Sequence, residues 1–511
     1  MTLEFQTTPL QAGNGFESPD TLDRGIALDP ALRPAFAGEG RGAENIDRLF
    51  DDDALCVTSG QQPGLFTGPL FTLYKALSAV ALAREYEAAL GRSVVPVFWV
   101  AGDDHDFAEA NHVTLLSTSN EPERLELPAR AADAPSTPLY RETLGSDIDD
   151  LIERATALLP DTEFRADAMA WLTRHYHAGN DMATAFGDAL ADLLGSAGLV
   201  VFRPTHAAAK AVSAPWMIKA LEAGTMLDER LRARAGELEA AGHAVPVPTQ
   251  AGNTLVMVDA AMGRDRLTID GADFVTRRSG ERWTLASLQE LAAVDPERLS
   301  ANVLLRPVIE AAILPTMAYV AGPGELVYFP QTAPVFETLG VTPQAFGPRW
   351  SARIIEPRVR KTLDRYGLTP EDLTGPEGQI EAQLVRDAMP SDATGALDRL
   401  RKAVDREFTT LVAGGKHIDQ TLEKPIQHIR NQMKSGLDNV EKKLISRLKQ
   451  QNEVLVRQLA NARHAVFPTG RPQERVFNLL QYLVKYGPHF VEQAQTHCDA
   501  WAKTLEPLPR S

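Results

Sequence analysis

Cysteine is nearly absent from this 511-residue chain, which has two, Cys56 and Cys498. They lie far apart and fit no metal-ligand spacing, so a disulfide framework is excluded and reduced thiols are expected. Cys56 sits inside an apolar run and reads as a small buried hydrophobe. Long hydrophobic runs are missing as well. No stretch reaches the roughly 18–20 apolar residues of a spanning helix. The first residues, MTLEFQTTPLQAG, lack the basic start and apolar stretch of a signal peptide. A cytoplasmic protein with no membrane partner is therefore expected. Basic charge is in short supply: 52 Lys and Arg stand against 68 Asp and Glu, a net charge of −16. Nucleic acid is thus not an expected partner, because phosphate binding needs a basic surface; a local basic pocket for a nucleotide is compatible with the balance.

What is present is an ordinary globular composition, 44% apolar and 23% charged. The length suggests two to four domains. Residues 54–59 (ALCVTS) read as a buried strand, followed by a Gly-rich turn and a helix that starts near Pro69 and runs to about residue 90. Proline is favourable in a helix's first turn, where its missing N–H has no partner to lose. A second continuous apolar run, 94–101 (VVPVFWVA), completes a βαβ unit. Continuous rather than alternating apolar strands point to a parallel sheet covered on both faces. A third buried strand is expected within 195–203 and a long helix over 214–241. Residues 253–285 alternate in short runs around Asp270-Gly271 and Ser279-Gly280, the pattern of a small antiparallel insertion. The expected layout is an α/β core over 1–390, with insertions at about 117–190 and 232–300. A helical coiled coil follows over 391–465, and then a C-terminal helix within 466–511 that docks on the core. The coiled coil rests on apolar residues at 397, 400, 404, 408 and 411, and then from 422 to 459 in a series dominated by steps of three and four. Gly414-Gly415 is the expected turn between its two helices.

Three segments carry chemistry. The first, TSGQQPGLFTGP (58–69), lies between strand and helix of the βαβ unit. Glycines there let backbone approach a ligand, and the helix start offers free N–H groups. It is neither a GxGxxG fingerprint nor a Walker loop. Gln61 and Gln62 can read a polar substrate; a merely structural turn is the alternative. The second, GDDHDFAEANH (102–112), follows the second strand directly. Asp103, Asp104 and His105, with Asp106 and His112, can form a proton-transfer pair or contact a substrate or nucleotide. The same types can ligate a divalent metal, which keeps open a metal-dependent hydrolase using Asp104, His105 and His112. A polar loop with an Asp helix cap is the plain alternative. The third holds Arg306 and Glu310, then AGPGELVYFPQ (321–331) with Gly322, Glu325, Tyr328 and Gln331. Arg349 and Arg353, just beyond, are candidate anion contacts. A non-catalytic coiled-coil scaffold is a further alternative.

At VTSGQQPGLFTGPLFTLYKALSA, VPVFWVAGDDHDFAEANHV, LLRPVIEAAILPTMAYVAGPGELVYFPQ, PRWSARIIE and PQERVFNLLQYLVKYG the sequence resembles the cysteine-adding enzymes of bacillithiol biosynthesis. These motifs run in family order from about residue 50 to 490. The resemblance implies a Rossmann-like core akin to the nucleotidyl-transferring domains of class I aminoacyl-tRNA synthetases, a C-terminal coiled coil and a homodimer. It implies condensation of L-cysteine with glucosaminyl-malate, the cysteine carboxylate being activated by ATP with Mg2+. No resident metal site is implied. Gly60, Gln61, Gln62, Thr67 and Gly68 would occupy the place of the synthetases' first nucleotide motif, although no HIGH-like His and no KMSKS are present. Asp103, Asp104, His105 and Asp106 match the family's acidic-His motif, which commonly begins with Glu where this chain has Asp103. In that reading Asp104 and His105 orient or deprotonate the attacking amine, and Arg306 or Arg349 binds malyl carboxylates or a phosphate.

Overall fold

The computed structural model describes residues 3–10, 26–51, 53–387, 389–451 and 453–505; the end of the expected C-terminal segment, 506–511, lies outside them. The chain divides into two compact units, one of residues 1–354 with 471–511, the other Ile355–Gly470.

The first unit is built on a six-stranded sheet: β1 (Phe36–Ala37), β2 (Leu55–Gln61), β3 (Val94–Val100), β4 (Val200–Phe202), β5 (Thr316–Ala321) and β6 (Ala345–Pro348). Their spatial order is β6-β5-β2-β3-β4-β1. Every pairing is parallel except the short edge strand β1 against β4. This is the expected Rossmann-like α/β core, with both central strands buried throughout apart from Gln61 at the tip of β2. Between β2 and β3 runs α1 (Leu70–Leu90), with Pro69 at its N-cap and Gly91 closing it in the left-handed conformation. It is apolar all round because it is covered twice, by the sheet and by the helix His489–Ala502. Beyond β4 lies α2 (Ala207–Glu222), and α3 (Arg306–Ile313) precedes β5.

Two excursions interrupt the sheet. Between β3 and β4 come a hairpin, His112–Leu116 with Pro122–Glu126, and the helices Asp147–Leu158, Arg165–His175 and Met182–Leu194. Between α2 and α3 a five-stranded antiparallel sheet forms from Asn253–Ala260, Gly263–Asp270, Asp273–Thr276, Arg282–Trp283 and Leu299–Ala301. The third core strand is shorter than 195–203, because Gly195–Ala197 is a 3-10 turn. A side chain at Gly195 would meet the Glu39 carbonyl oxygen at 2.4 Å.

The second unit starts earlier than 391. Helices Pro357–Tyr366 and Gln379–Asp387 belong to it, since Tyr366 donates to Gln458 at 2.8 Å and Val385 and Met389 share a small core with Leu397 and Ile445. Its long hairpin comprises α4 (Ser391–Ile418), α5 (Glu423–Gln451) and α6 (Glu453–Val466). The turn is not at Gly414-Gly415: α4 runs through both glycines and the chain reverses at 419–422. Gly415 serves approach instead, because a Cβ there would lie 2.8 Å from Ile426 Cδ1 on the facing helix.

Candidate active site

Ligands of an open parallel sheet bind beyond the strand carboxyl ends, where strand order reverses. Here the reversal falls between β2 and β5: the chain runs from β2 outward to β3 and β4, then returns to β5 on the other edge of β2 and continues outward to β6. A cleft of about 580 Å³ opens there, over the ends of β2, β3 and β5.

Its first wall is a buried charge network. Gly60 is required by its neighbour, since a Cβ would stand 2.9 Å from the Trp99 oxygen on β3. Lys75, one turn into α1, directs its ammonium to the Gly60 carbonyl at 2.7 Å, Gln61 Oε1 at 3.1 Å and Glu325 Oε2 at 2.5 Å. Three acceptors match its three donors. Glu325 also accepts from the Tyr319 hydroxyl at 2.6 Å and the Gly322 N–H at 2.7 Å. Burial pushes the Glu325 carboxyl up, but Lys75 and Arg306 outweigh it and hold it below the usual range. Burial draws Lys75 down, partly offset by Glu325. Arg306 pairs with the fully buried Glu310 at 2.8 Å and lies over the Tyr319 ring at 5.1 Å, and its buried Nη2 has no hydrogen-bond partner among the described residues. Arg349 donates from both terminal nitrogens to Glu474, at 2.9 and 2.5 Å.

The second wall is formed where β3 ends. Asp103 meets the Lys210 ammonium of α2 at 2.6 Å, and that ammonium also donates to the Leu299 carbonyl at 2.9 Å. Burial lowers Lys210, partly offset by Asp103. Asp104 Oδ1 accepts from the backbone N–H of His105 at 2.7 Å and of Asp106 at 3.2 Å. The His105 ring packs against Arg264 of the antiparallel sheet, Nδ1 to Nη1 at 3.3 Å. Burial first, then Arg264, pull His105 below its ordinary value.

Of the residues singled out by sequence, Gly60, Gln61, Gln62, Asp103, Asp104, His105, Arg306, Gly322, Glu325, Tyr328 and Arg349 line the cleft. Six do not. Thr67 and Gly68 turn away from it: the Thr67 N–H donates to the Tyr176 hydroxyl at 2.8 Å, and the Gly68 carbonyl is held by Asn478 at 2.6 Å. Asp106 caps the helix Phe107–Ala110 through the Glu109 N–H at 3.0 Å. His112 begins a strand with Nδ1 on the Ala108 carbonyl at 3.3 Å, so Asp104, His105 and His112 do not form a ligand set. Among the described residues no group of three or more His, Cys, Asp and Glu is placed to hold a metal ion. Glu310 lies beneath Arg306 and accepts from the Thr58 hydroxyl. Gln331 is buried and bonded to the Val247 backbone. The cleft adds Lys75, Lys210, Arg264, Tyr319 and Arg475. Lys75 and Lys210 left a trace in the sequence, as single charges inside the apolar helical runs LFTLYKALSAVAL and AAAKAVSAPW.

A parallel sheet with a polar, charge-networked cleft at its switch point defines a Rossmann-like α/β enzyme. Comparison with known proteins specifies it further. Residues 34–350 match the model described as bacillithiol biosynthesis BshC, N-terminal Rossmann-like domain, and residues 352–502 match the C-terminal coiled-coil domain of BshC. The protein of Salinibacter ruber named "Putative cysteine ligase BshC" is 32% identical over 473 residues, covering 92% of this chain and 86% of its own. The proteins of the same name from Desulforamulus reducens and Bacillus licheniformis are 29% and 27% identical, covering 92% and 88% of this chain and 87% and 84% of theirs. The chain belongs to the BshC family of ligases.

Proposed function

We propose that the protein joins the carboxyl group of L-cysteine to the amine of glucosaminyl-malate, the last step of bacillithiol biosynthesis, with ATP and Mg2+ activating the carboxylate. One observation carries the reading beyond family membership. On a chain of net charge −16, the cleft gathers Lys75, Lys210, Arg264, Arg266, Arg306, Arg349 and Arg475 against Asp103, Asp104, Glu109 and Glu325, with Glu310 and Glu474 paired behind Arg306 and Arg349, so the cations still outnumber the carboxylates. A malyl group, a carboxylate and a polyphosphate are all anions, and a cationic cleft in an acidic protein concentrates them. Arg306, whose buried Nη2 has no hydrogen-bond partner among the described residues, and Arg475 at the exposed rim are the anion contacts. Arg349, committed to Glu474, shapes the wall between them. Gln61 and Gln62 supply neutral hydrogen bonds for the sugar.

The protein acts in the cytoplasm; among the described residues no helix is long and apolar enough to cross a membrane. It works as a homodimer, a reading supported by Leu400, Leu411, Ile429, Met433 and Val440, which stand exposed along the long helices.

The test is a mass-spectrometric turnover assay with glucosaminyl-malate, cysteine and Mg2+, with and without ATP. Bacillithiol is expected only with ATP, and the by-product, AMP or ADP, names the activation route. Product at the same rate without ATP would overturn the activation step, and no product under any condition would overturn the reading.

A further inference from the structure

Resting on the ligase reading, we propose that His105 is a neutral hydrogen-bond donor, through Nε2–H, to the oxygen of the acyl group under attack, and that Asp104 takes the proton of the attacking amine. A histidine beside two aspartates suggests a general base at first sight. The contacts of its ring say otherwise. Arg264 Nη1 stands 3.3 Å from His105 Nδ1. A guanidinium has donors only and keeps its proton in proteins, so Nδ1 is the acceptor in this pair. In a neutral imidazole the one proton then sits on Nε2.

The arrangement is held from both sides. Arg264 is fixed by Nε to Ser300 Oγ at 2.9 Å and Nη2 to the Ala301 carbonyl at 2.7 Å. The His105 backbone is pinned by its N–H on Asp104 and by Arg130 Nη1 on its carbonyl at 3.0 Å. Among the described residues nothing bonds Nε2. Gaining a second proton would set an imidazolium against the Arg264 cation. Arg278 adds to that opposition, Asp104 and Asp106 work against it, and burial is the largest opposing influence. With its lone pair occupied, the ring has nothing with which to take an amine proton.

Asp104 does. Its Oδ1 is used by two backbone N–H groups, while Oδ2 has no partner among the described residues and the side chain lines the cleft. In the step that follows, the amine nitrogen forms a bond to the acyl carbon of the activated cysteine. The acyl C–O bond to the phosphoryl-bearing leaving group, supplied by the nucleoside triphosphate, breaks and keeps its electron pair. The amine proton passes to Asp104 Oδ2. Between bond making and bond breaking the acyl oxygen is negative, and it rests on the His105 Nε2–H.

Two measurements on the full-length protein test this. The first is two-bond 1H–15N correlation NMR of 15N-histidine-labelled protein at pH 7.5, with His105 assigned by its absence in His105→Gln. The Nε2–H tautomer is expected; an Nδ1–H ring or an imidazolium overturns the proposal. The second is turnover. Losing one preorganised donor to an oxyanion lowers kcat by about 10²–10³-fold, the loss expected for His105→Ala. A glutamine amide can donate but cannot act as a base, so His105→Gln should keep kcat within roughly tenfold of wild type. A folded His105→Gln as inactive as His105→Ala overturns the donor role. Absence of product from the wild-type chain overturns the ligase reading and the proposal with it, whereas product from wild type with an Nδ1–H ring overturns the proposal alone.

Discussion

Lys75→Met is the sharpest perturbation of the first wall. The Lys75 side chain is 4% exposed and Glu325 18%, with 2.5 Å between their charges. Removing one partner of a buried pair leaves the other charge uncompensated, at a cost of about 3–5 kcal/mol, whereas replacing both by neutral groups is often close to neutral. Lys75→Met should therefore destabilise the first unit by about 3–5 kcal/mol. Glu325→Gln should cost less, since the ammonium keeps Gly60 and Gln61 as acceptors and the new amide can still accept one bond. The double variant should recover much of the sum, with a coupling energy of roughly 2–3 kcal/mol. Urea denaturation followed by tryptophan fluorescence is the assay. All six tryptophans, Trp99, Trp171, Trp216, Trp283, Trp350 and Trp501, lie in the first unit, so the signal is blind to unfolding of the helical one. Single-variant costs below about 1 kcal/mol that simply add in the double would refute the argument that the pair is a buried, interdependent unit.

Asn478→Ala should strand the Phe66 and Gly68 carbonyls, which its amide holds at 2.7 and 2.6 Å, and cost roughly 2–4 kcal/mol by the same denaturation assay; Asn478→Asp, which cannot donate, should do the same. In α4 the two adjacent glycines should respond with opposite sign. Gly414 faces open space, so Gly414→Ala should raise the melting temperature of the helical signal by circular dichroism, gaining up to about 1 kcal/mol, while Gly415→Ala should lower it by forcing Ile426 aside. His105 and His112 are both held below their ordinary value, chiefly by burial. The unfolded chain thus binds more protons than the folded one as pH drops through about 6.5, so stability present above that pH is lost below it. Urea midpoints at pH 7.5 and 5.5 should show the fall, and the His105→Gln, His112→Gln double variant should flatten it; an unchanged slope would count against both assignments.

The parallel core was legible because its strands carry a local signal. ALCVTS and VVPVFWVA are continuous apolar runs, and they form β2 and β3 within a residue or two of the expected bounds. The polar segments after those strands were legible for the same reason: a strand end fixes where its next residues point. Local pattern could not tell which residues of a loop face inward. Thr67 and Gly68 sit in a left-handed run, φ 71° and 72°, whose direction is set by Asn478 more than four hundred residues away. Nor could it foresee Arg264, which reaches His105 across 159 residues from an insertion with no sign of chemistry in its own sequence. Gly414-Gly415 misled because glycine pairs usually mark turns, whereas here one of them makes room for a close helix crossing.

The helical unit is an insertion whose two ends are neighbours: the Ile354 N–H donates to Gln473 Oε1 at 2.8 Å, and Gln473 Nε2 donates back to the Ile354 carbonyl at 3.0 Å. Synthesis runs from the N-terminus, so the ribosome must complete every residue of Ile355–Gly470 before Glu474 and Asn478 emerge. Until then Arg349 lacks the Glu474 carboxylate, and the Phe66 and Gly68 carbonyls lack the Asn478 amide that holds them. A nascent chain therefore carries an unfinished cleft through the making of its longest helices, and a segment translated after them is the one that sets the first loop.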